Sequence, residues 1–337
     1  MPQFGEILAE LRQDRGMTQQ ELSAKLHVAK SSISNLETGQ RRAHTELIDS
    51  KSDVAFMFQN FQTMYAYDDD TLIGVFYVEE STRHAMGLYD VSCQDALGVL
   101  DMETVSAKMC QDKNAMELAA EIITDKFKLE YDPELENETV SGYIPDGTRR
   151  NALHHIAFAL RAIVDTSRTD AVRFFRPKVE ELEEINTGRA YVNGSVKLDA
   201  TVTSVRIMSH SYSATGDSKN TVEVDGVTYY DTQTMHTMDN PNITPSILPK
   251  IIKIKNATLV NPSNVEAILQ NAYDYYAKRS THNIKLIMDE ERPGDFLTTP
   301  TVWGTTVSGN IESMRITMSG IMAADCEVVG SEISDNP

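Results

Sequence analysis

The chain has 337 residues, of which 50 are Asp or Glu and 31 are Lys or Arg, for a formal charge of -19 at pH 7. Its 41% hydrophobic content excludes wholesale disorder, and its acidity excludes a chain that holds nucleic acid mainly by bulk electrostatic attraction. The charge is uneven: residues 1–50 carry six basic residues (Arg12, Arg15, Lys25, Lys30, Arg41, Arg42) against seven acidic ones, a net of -1, and the other 287 carry -18. A chain of this length divides into two or three domains of roughly 100–200 residues each.

Cys93, Cys110 and Cys326 are too few and too dispersed for a disulfide framework, and no two have metal-site spacing, so reduced thiols in a reducing compartment are expected. Glu6, Glu10, Arg12 and Asp14 interrupt the stretch where a signal peptide needs an apolar core. No apolar run approaches the roughly 18 residues of a membrane span. The expectation is a soluble, intracellular product.

The first element is a helix with Phe4, Ile7, Leu8 and Leu11 on one apolar stripe, ended by Gly16. Thr18-Gln19-Gln20-Glu21 is a capping box that opens a second helix, from which Leu22 and Leu26 face inward. His27-Val28-Ala29 makes a three-residue turn. A third helix runs from Lys30 to about Thr38, burying Ile33 and Leu36, and Gly39 supplies a left-handed C-cap. Two short helices across such a turn form a helix-turn-helix.

Positions 17 to 41, MTQQELSAKLHVAKSSISNLETGQR, resemble the Xre/Cro family of phage-repressor DNA-binding domains. The resemblance implies that the helix from Lys30 lies in the major groove of double-stranded DNA, with Lys30, Ser31 and Asn35 at positions that reach base edges. It also implies a phosphate contact by Gln19 at a helix N-terminus, and others by Gln40 and Arg41 in the following loop. A solvated helix face is the plain alternative for Ser31, Ser32 and Ser34. His27 departs from the family's usual glycine at a turn that favours positive φ. Only Leu47 and Ile48 follow where the family adds two more helices, so residues 1–50 read as a truncated helix-turn-helix domain.

From about Asp53 the pattern changes. Val54, Phe56 and Phe58 alternate as a strand does, 72–78 is a second strand and 88–99 a third. Two amphipathic core helices follow. Residues 115–127 put Met116, Ala119, Ile122, Ile123 and Phe127 on one face, and 149–164 do the same with Leu153, Ile156, Ala157, Leu160, Ile163 and Val164. The five residues 180–184 read as a charged connector between strands at 171–175 and 191–196, the latter around the hairpin dipeptide Asn193-Gly194. A long strand at 201–212 precedes a hairpin marked by Asp225-Gly226 between Thr221 and Tyr230. A strand at 251–260 leads to a helix with Pro262 in its first turn and Val265, Ile268, Leu269, Ala272 and Tyr276 inward. Strands at 284–288, 298–303, 310–318 and 322–329 complete the chain. The fold class is α+β: a small all-α helix-turn-helix domain, then a β-rich multi-domain body with a few amphipathic helices, dividing into 51–212 and 213–337.

From residue 72 onward the chain is similar to the baseplate or tail hub proteins of tailed phages, over about four-fifths of its length. LIGVFYVEE with YDVSCQDALGVLD looks like the strand pair and turn of a hub's first tube domain. ALHHIAFALRAIVDTSRTDAVRFFRP looks like its helix-to-strand passage. NATLVNPSNVEAILQNAYDYYAKR, then DEERPGDFLTTPTVWGTTVSGNIESMRITMSGIMAADCEVVG, looks like its closing domain. The resemblance implies a trimeric ring that joins tail tube to tip proteins. In such a ring a lumen of like charge lets DNA slide without sticking, although a solvated acidic surface accounts for the charge equally well. Hubs begin with a substantial β segment, where this chain has its helix-turn-helix.

Chemistry-bearing residues are sparse. His154 and His155 are adjacent on a helix, diverge by about 100° and cannot clamp one ion. His210 and His236 have no partner at ligand spacing, and Asp68-Asp69-Asp70 reads as a solvated loop before it reads as a cation site. Tyr273, Tyr275 and Tyr276 could stack on bases, but their helical spacing favours packing. No phosphate loop, nucleophile elbow or metalloprotease motif occurs. No catalytic residue, metal ligand or cofactor is assigned. The expectation is a non-enzymatic phage or prophage protein, a DNA-binding helix-turn-helix joined to a tail-hub-like body that self-associates as a trimer. The alternative is an Xre-family transcriptional regulator, dimeric, whose large C-terminal part oligomerises or senses a ligand. Either belongs in the bacterial cytoplasm, and the first also in the virion tail once assembled.

Overall fold

The computed structural model describes residues 18–19, 58–68, 71–85, 88–179, 181–185, 188–191, 194–243, 248–319 and 321–333. The expected first and third helices and the alternating segment 54–57 lie outside them. The described residues fall into two compact units. The smaller gathers separate stretches of chain, among them Val78–Cys93 and Ile316–Ala323; the larger holds Thr63–Tyr77, Gln94–Arg315 and the strand that follows Ala324.

Strands β1 (Thr63–Asp68) and β2 (Thr71–Ala85) form an antiparallel hairpin closed at Asp68 and Thr71, with a bulge between Ala66 and Tyr67, and β3 (Leu88–Gln94) completes the sheet. Within the smaller unit the Phe61 N–H donates to the Val78 carbonyl at 2.7 Å and Phe58 sets its ring edge-on to Tyr89, centroids 5.3 Å apart. The single strand expected over 88–99 breaks at Asp95. That carboxylate accepts the Gly98 N–H at 2.7 Å and so caps helix α1 (Ala96–Asp101), in which Leu97, Val99 and Leu100 are buried.

The larger unit's helical core begins with β4 (Thr104–Val105), β5 (Lys108–Asn114) and α2 (Ala115–Ile123). Asn114 ends the strand and starts the helix, its Oδ1 accepting the N–H groups of Met116 at 2.9 Å and Glu117 at 3.0 Å. Met116, Ala119, Ile122 and Ile123 are buried as their spacing predicts. Phe127 packs on the same core from beyond the helix, just before β6 (Lys128–Tyr131). β7 (Thr139–Ile144) pairs with β5, β8 (Gly147–Thr148) pairs with β4, and α3 (Arg149–Leu160) follows. The helix ends four residues before the expected 164. Arg161 turns left-handed at φ 57 and its N–H closes on the Ala157 and Phe158 carbonyls. Ile163 and Val164 therefore enter strand β9 (Ile163–Asp165), antiparallel to β10 (Ala171–Phe175), which is itself parallel to β6. Leu100, Leu118, Ile122, Leu153, Ile156 and Phe174 meet in one core, each worth about 1.5–3 kcal/mol of burial.

The remaining strands are β11 (Glu181–Glu184), β12 (Ser195–Leu198), β13 (Ser204–Ser213), β14 (Thr221–Val224), β15 (Val227–Asp239) and β16 (Ile251–Ile254). After them come α4 (Val265–Ala277), β17 (Ser280–Ile287), β18 (Phe296–Pro300), β19 (Thr306–Ser319) and β20 (Ile321–Ile333). They form two sheets, ordered β14-β15-β13-β16 and β11-β18-β19-β20-β17-β12. The Asp225-Gly226 hairpin forms as expected, with both residues at positive φ, 51 and 75. A division at 212/213 falls inside β13, whose ladder to β15 runs from Ser204↔Asp239 to Ser213↔Tyr230. At Gly309 and Gly330 two backbones nearly touch: a Cβ on Gly330 would lie 1.9 Å from the Ser308 carbonyl oxygen.

Four expectations change here. The charged connector is a strand, since β11 pairs parallel with β18 at the edge of the six-stranded sheet. Ala190 bridges Leu286 and Ser195 pairs with Asn283, so the described residues on either side of the expected Asn193-Gly194 hairpin run along β17 instead of pairing with each other. The strand expected over 251–260 stops at Ile254. Pro262 sits before α4 instead of in its first turn, because Asn261 Oδ1 accepts the Ser263 N–H at 2.9 Å and bends the chain there. Val265, Ile268, Leu269 and Ala272 are buried against Val205 and Ile207 of β13 as their spacing requires.

Candidate functional site

Two described residues belong to the helix-turn-helix stretch. Thr18 is exposed and non-helical, and Gln19 is helical and half-buried, which is the order of a cap and a first turn. Lys30, Ser31, Asn35, Gln40 and Arg41 lie outside the described residues.

In the body, the small sheet holds a polar network that strand alternation alone does not reveal. His210 and Tyr212 project from the same face of β13, rings stacked at 6.0 Å, and the neighbouring β15 brings Asp231 beside them. His210 Nδ1 lies 2.9 Å from Asp231 Oδ2, and Nε2 lies 3.0 Å from the Lys255 carbonyl. A carbonyl only accepts, so Nε2 is the donor toward Lys255. Gln233 Nε2 donates to the same Oδ2 at 2.7 Å. Both members of the His–Asp pair are buried, and burial together with the nearby Asp231 charge pushes the Tyr212 hydroxyl's pKa upward. This ties β13, β15 and the segment after β16 together, and no partner visible in sequence pointed to it: Asp231 is 21 residues from His210.

The opposite face of the same strands aligns Ser209, His236 and Glu266 in the order of nucleophile, base and acid. Ser209 Oγ is 2.9 Å from His236 Nε2, and His236 Nδ1 is 3.5 Å from Glu266 Oε1. Ser209 is only 1% exposed and its hydroxyl also lies 3.4 Å from the Thr234 carbonyl, so it is interior packing with no approach for a substrate. The chain of contacts anchors the first turn of α4, where Glu266 also suits the helix dipole.

Other candidates resolve into packing. Burial lowers the pKa of both His154 and His155, and His155 Nδ1 lies 3.3 Å from Thr258 Oγ1. His282 is buried with Nδ1 at 2.8 Å from Thr299 Oγ1. Tyr273 and Tyr276 pack on the α4 core, while the half-exposed Tyr275 donates to Glu312 at 2.8 Å. Cys93, Cys110 and Cys326 are free thiols. Among the described residues no group of three or more His, Cys, Asp or Glu is poised to hold a metal, and no helix is long and apolar enough to cross a membrane.

Residues 8–49 match the helix-turn-helix family HTH_3. No curated protein matches the chain. Among solved structures the chain is similar to the tail protein from Neisseria meningitidis MC58, with a TM-score of 0.59 at 10% identity over 80% of this chain and 84% of that one. It is likewise similar to the 43 kDa tail protein of prophage MuSo2 from Shewanella oneidensis, with a TM-score of 0.57 at 9% identity over 83% and 86%. At such identity what the chains share is a fold, a β-rich one with few helices.

Proposed function

We propose that the chain is a non-enzymatic phage or prophage protein in which a DNA-binding helix-turn-helix is joined to a structural tail-hub-like body. The observation that carries this reading is the shared fold with two tail proteins over at least 80% of the chain, beside a helix-turn-helix match confined to residues 8–49. The body would self-associate as a trimer between tail tube and tip proteins, and residues 1–50 would read an operator through Lys30, Ser31 and Asn35. Gln19, Gln40 and Arg41 would hold phosphates. Light scattering on the full-length chain tests the first part: a trimer is expected, and a monomer at every concentration would overturn it.

The helix-turn-helix match supports a second reading, an Xre-family regulator whose body oligomerises or senses a ligand. Repressor half-sites mirror two-fold symmetry, so this reading requires a dimer that shifts a palindromic duplex. In either reading Lys30→Ala and Asn35→Ala lower sequence discrimination by about 1–3 kcal/mol each, whereas Arg41→Ala weakens binding to all sequences. Equal losses on specific and random DNA for all three would refute these roles.

A further inference from the structure

Acidic as the chain is, its larger unit contains a cleft of about 450 Å³ walled by Arg168, Arg173, Lys178 and Arg292, with Glu290 and Asp295 as the acidic residues of its lining. Three parts of the fold bring the cations together. Arg173 is the central residue of β10, and Arg168 precedes that strand in a left-handed conformation, φ 54, with its N–H on the Ile73 carbonyl at 3.0 Å. Arg292 opens the turn before β18, where Asp295 Oδ2 accepts its N–H at 2.9 Å.

The neighbouring carboxylates are already engaged. Asp295 Oδ1 lies 2.7 Å from Lys178 Nζ. Asp165 accepts both the N–H and the hydroxyl of Ser167, at 3.1 and 2.6 Å. Glu291 is buried, accepts the Asp289 N–H at 2.8 Å and pairs with Arg189. Asp165 and Asp295 offset part of the Arg292 charge, and the exposed Glu290 is the remaining acidic residue of the lining. One N–H of Arg168 goes to the Asp289 carbonyl. The Arg173 guanidinium carbon stacks 4.3 Å over the Phe175 ring, and its Nε is buried without a hydrogen-bond partner. Burial, then Arg173, then Arg168 act against the charge on Arg292 and outweigh Asp165 and Asp295, which favour it. A planar guanidinium presents parallel N–H donors matched to the oxygens of a phosphate or carboxylate, and such a group would relieve both the repulsion and the unpaired donor.

We propose that this cleft binds an oxyanion, a phosphate or a carboxylate group, gripped by Arg168, Arg173 and Arg292. Neither DNA reading by the N-terminal segment nor ring assembly by the body calls for such a site. The test uses the full-length protein, melted in chloride, inorganic phosphate or succinate at equal ionic strength, with the heat of titrating the same two anions measured in parallel. Binding to the native state raises the melting temperature by mass action, about 1.4 kcal/mol for each tenfold excess over Kd. Saturable heat and a rise over chloride are expected in the millimolar range with phosphate, succinate or both. Phosphate alone would identify a phosphate ligand, and succinate alone a carboxylate such as an acidic side chain of a partner. Arg292→Gln should weaken binding at least tenfold, whereas Arg150→Gln, on the exposed side of α3, should leave it unchanged. Arg292→Lys, which keeps the charge and loses the fork, serves if the glutamine variant does not fold. No saturable heat with either anion overturns the proposal, and so does equal affinity in the Arg292 variants.

Discussion

His210 and Asp231 pair inside the small sheet, and removing the ring leaves the buried carboxylate to Gln233. His210→Ala leaves a buried carboxylate whose Oδ1 already lacks a partner, so a loss of about 3–5 kcal/mol in urea unfolding is expected. Asp231→Asn keeps an acceptor for the ring and should cost less; equal costs would mean that the carboxylate charge, and not the acceptor, carries the pair. The thiols give a second expectation. Burial raises the pKa of all three, that of Cys326 to about 12, but Cys93 is only partly buried whereas Cys110 and Cys326 are buried. A thiol reagent at mild alkaline pH should therefore titrate Cys93 alone in the native protein and all three in denaturant. Neither feature was legible residue by residue, because histidine, aspartate and cysteine carry no mark of the strand that will lie beside them.

At the scale of elements, burial faces were legible and ends were not. The apolar spacing of α2, α3 and α4 named Ile122, Ile156 and Ile268 as interior, since a 3.6-residue period fixes a face before any partner is known. What stops or starts an element depends on a few side chains that reach back to the backbone: the Asp95 cap that converts half of a strand into α1, or the left-handed Arg161 that frees Ile163 for β9. Edge strand β11 was illegible for another reason, as its pairing partner β18 lies more than a hundred residues away. The helix-turn-helix over residues 8–49 was legible in caps and spacing, whereas the arginine cleft draws on 168–178 and 290–295 at once. Glu103 joins the turn after α1 to the start of α3, pairing with Lys126 and lying 3.0 Å from Arg149 Nε. The Lys126 hydrogen bond, then the charges of Lys126 and Arg149, hold its carboxyl below the ordinary 4.5. A lowered folded-state pKa stabilises above 4.5 and loses that contribution as pH falls through the lower value. Glu103→Gln should therefore flatten the acid limb of the stability curve while leaving its shape above pH 5 unchanged; an unaltered acid limb would dismiss the linkage.

For the whole molecule, the near-neutral first fifty residues and the -18 of the rest act against each other near DNA. A body of like charge repels the duplex beyond the contact, so binding should be weak and should fall steeply with salt. Arg41→Ala should reduce the slope of log K against log salt by about 1, and a slope near zero for the native chain would mean that no phosphates are held.

The six-stranded sheet also governs when the chain can fold. Its members come from 181–184, 195–198 and four segments between 280 and 333, and the central pair β19 and β20 is the last to be made. The two outer halves of that sheet therefore cannot be bridged until the chain has been made as far as β20. Until then β11, β12 and β17 emerge with nothing joining one side to the other, so a chain that stops short of β19 and β20 would present open edges to its neighbours.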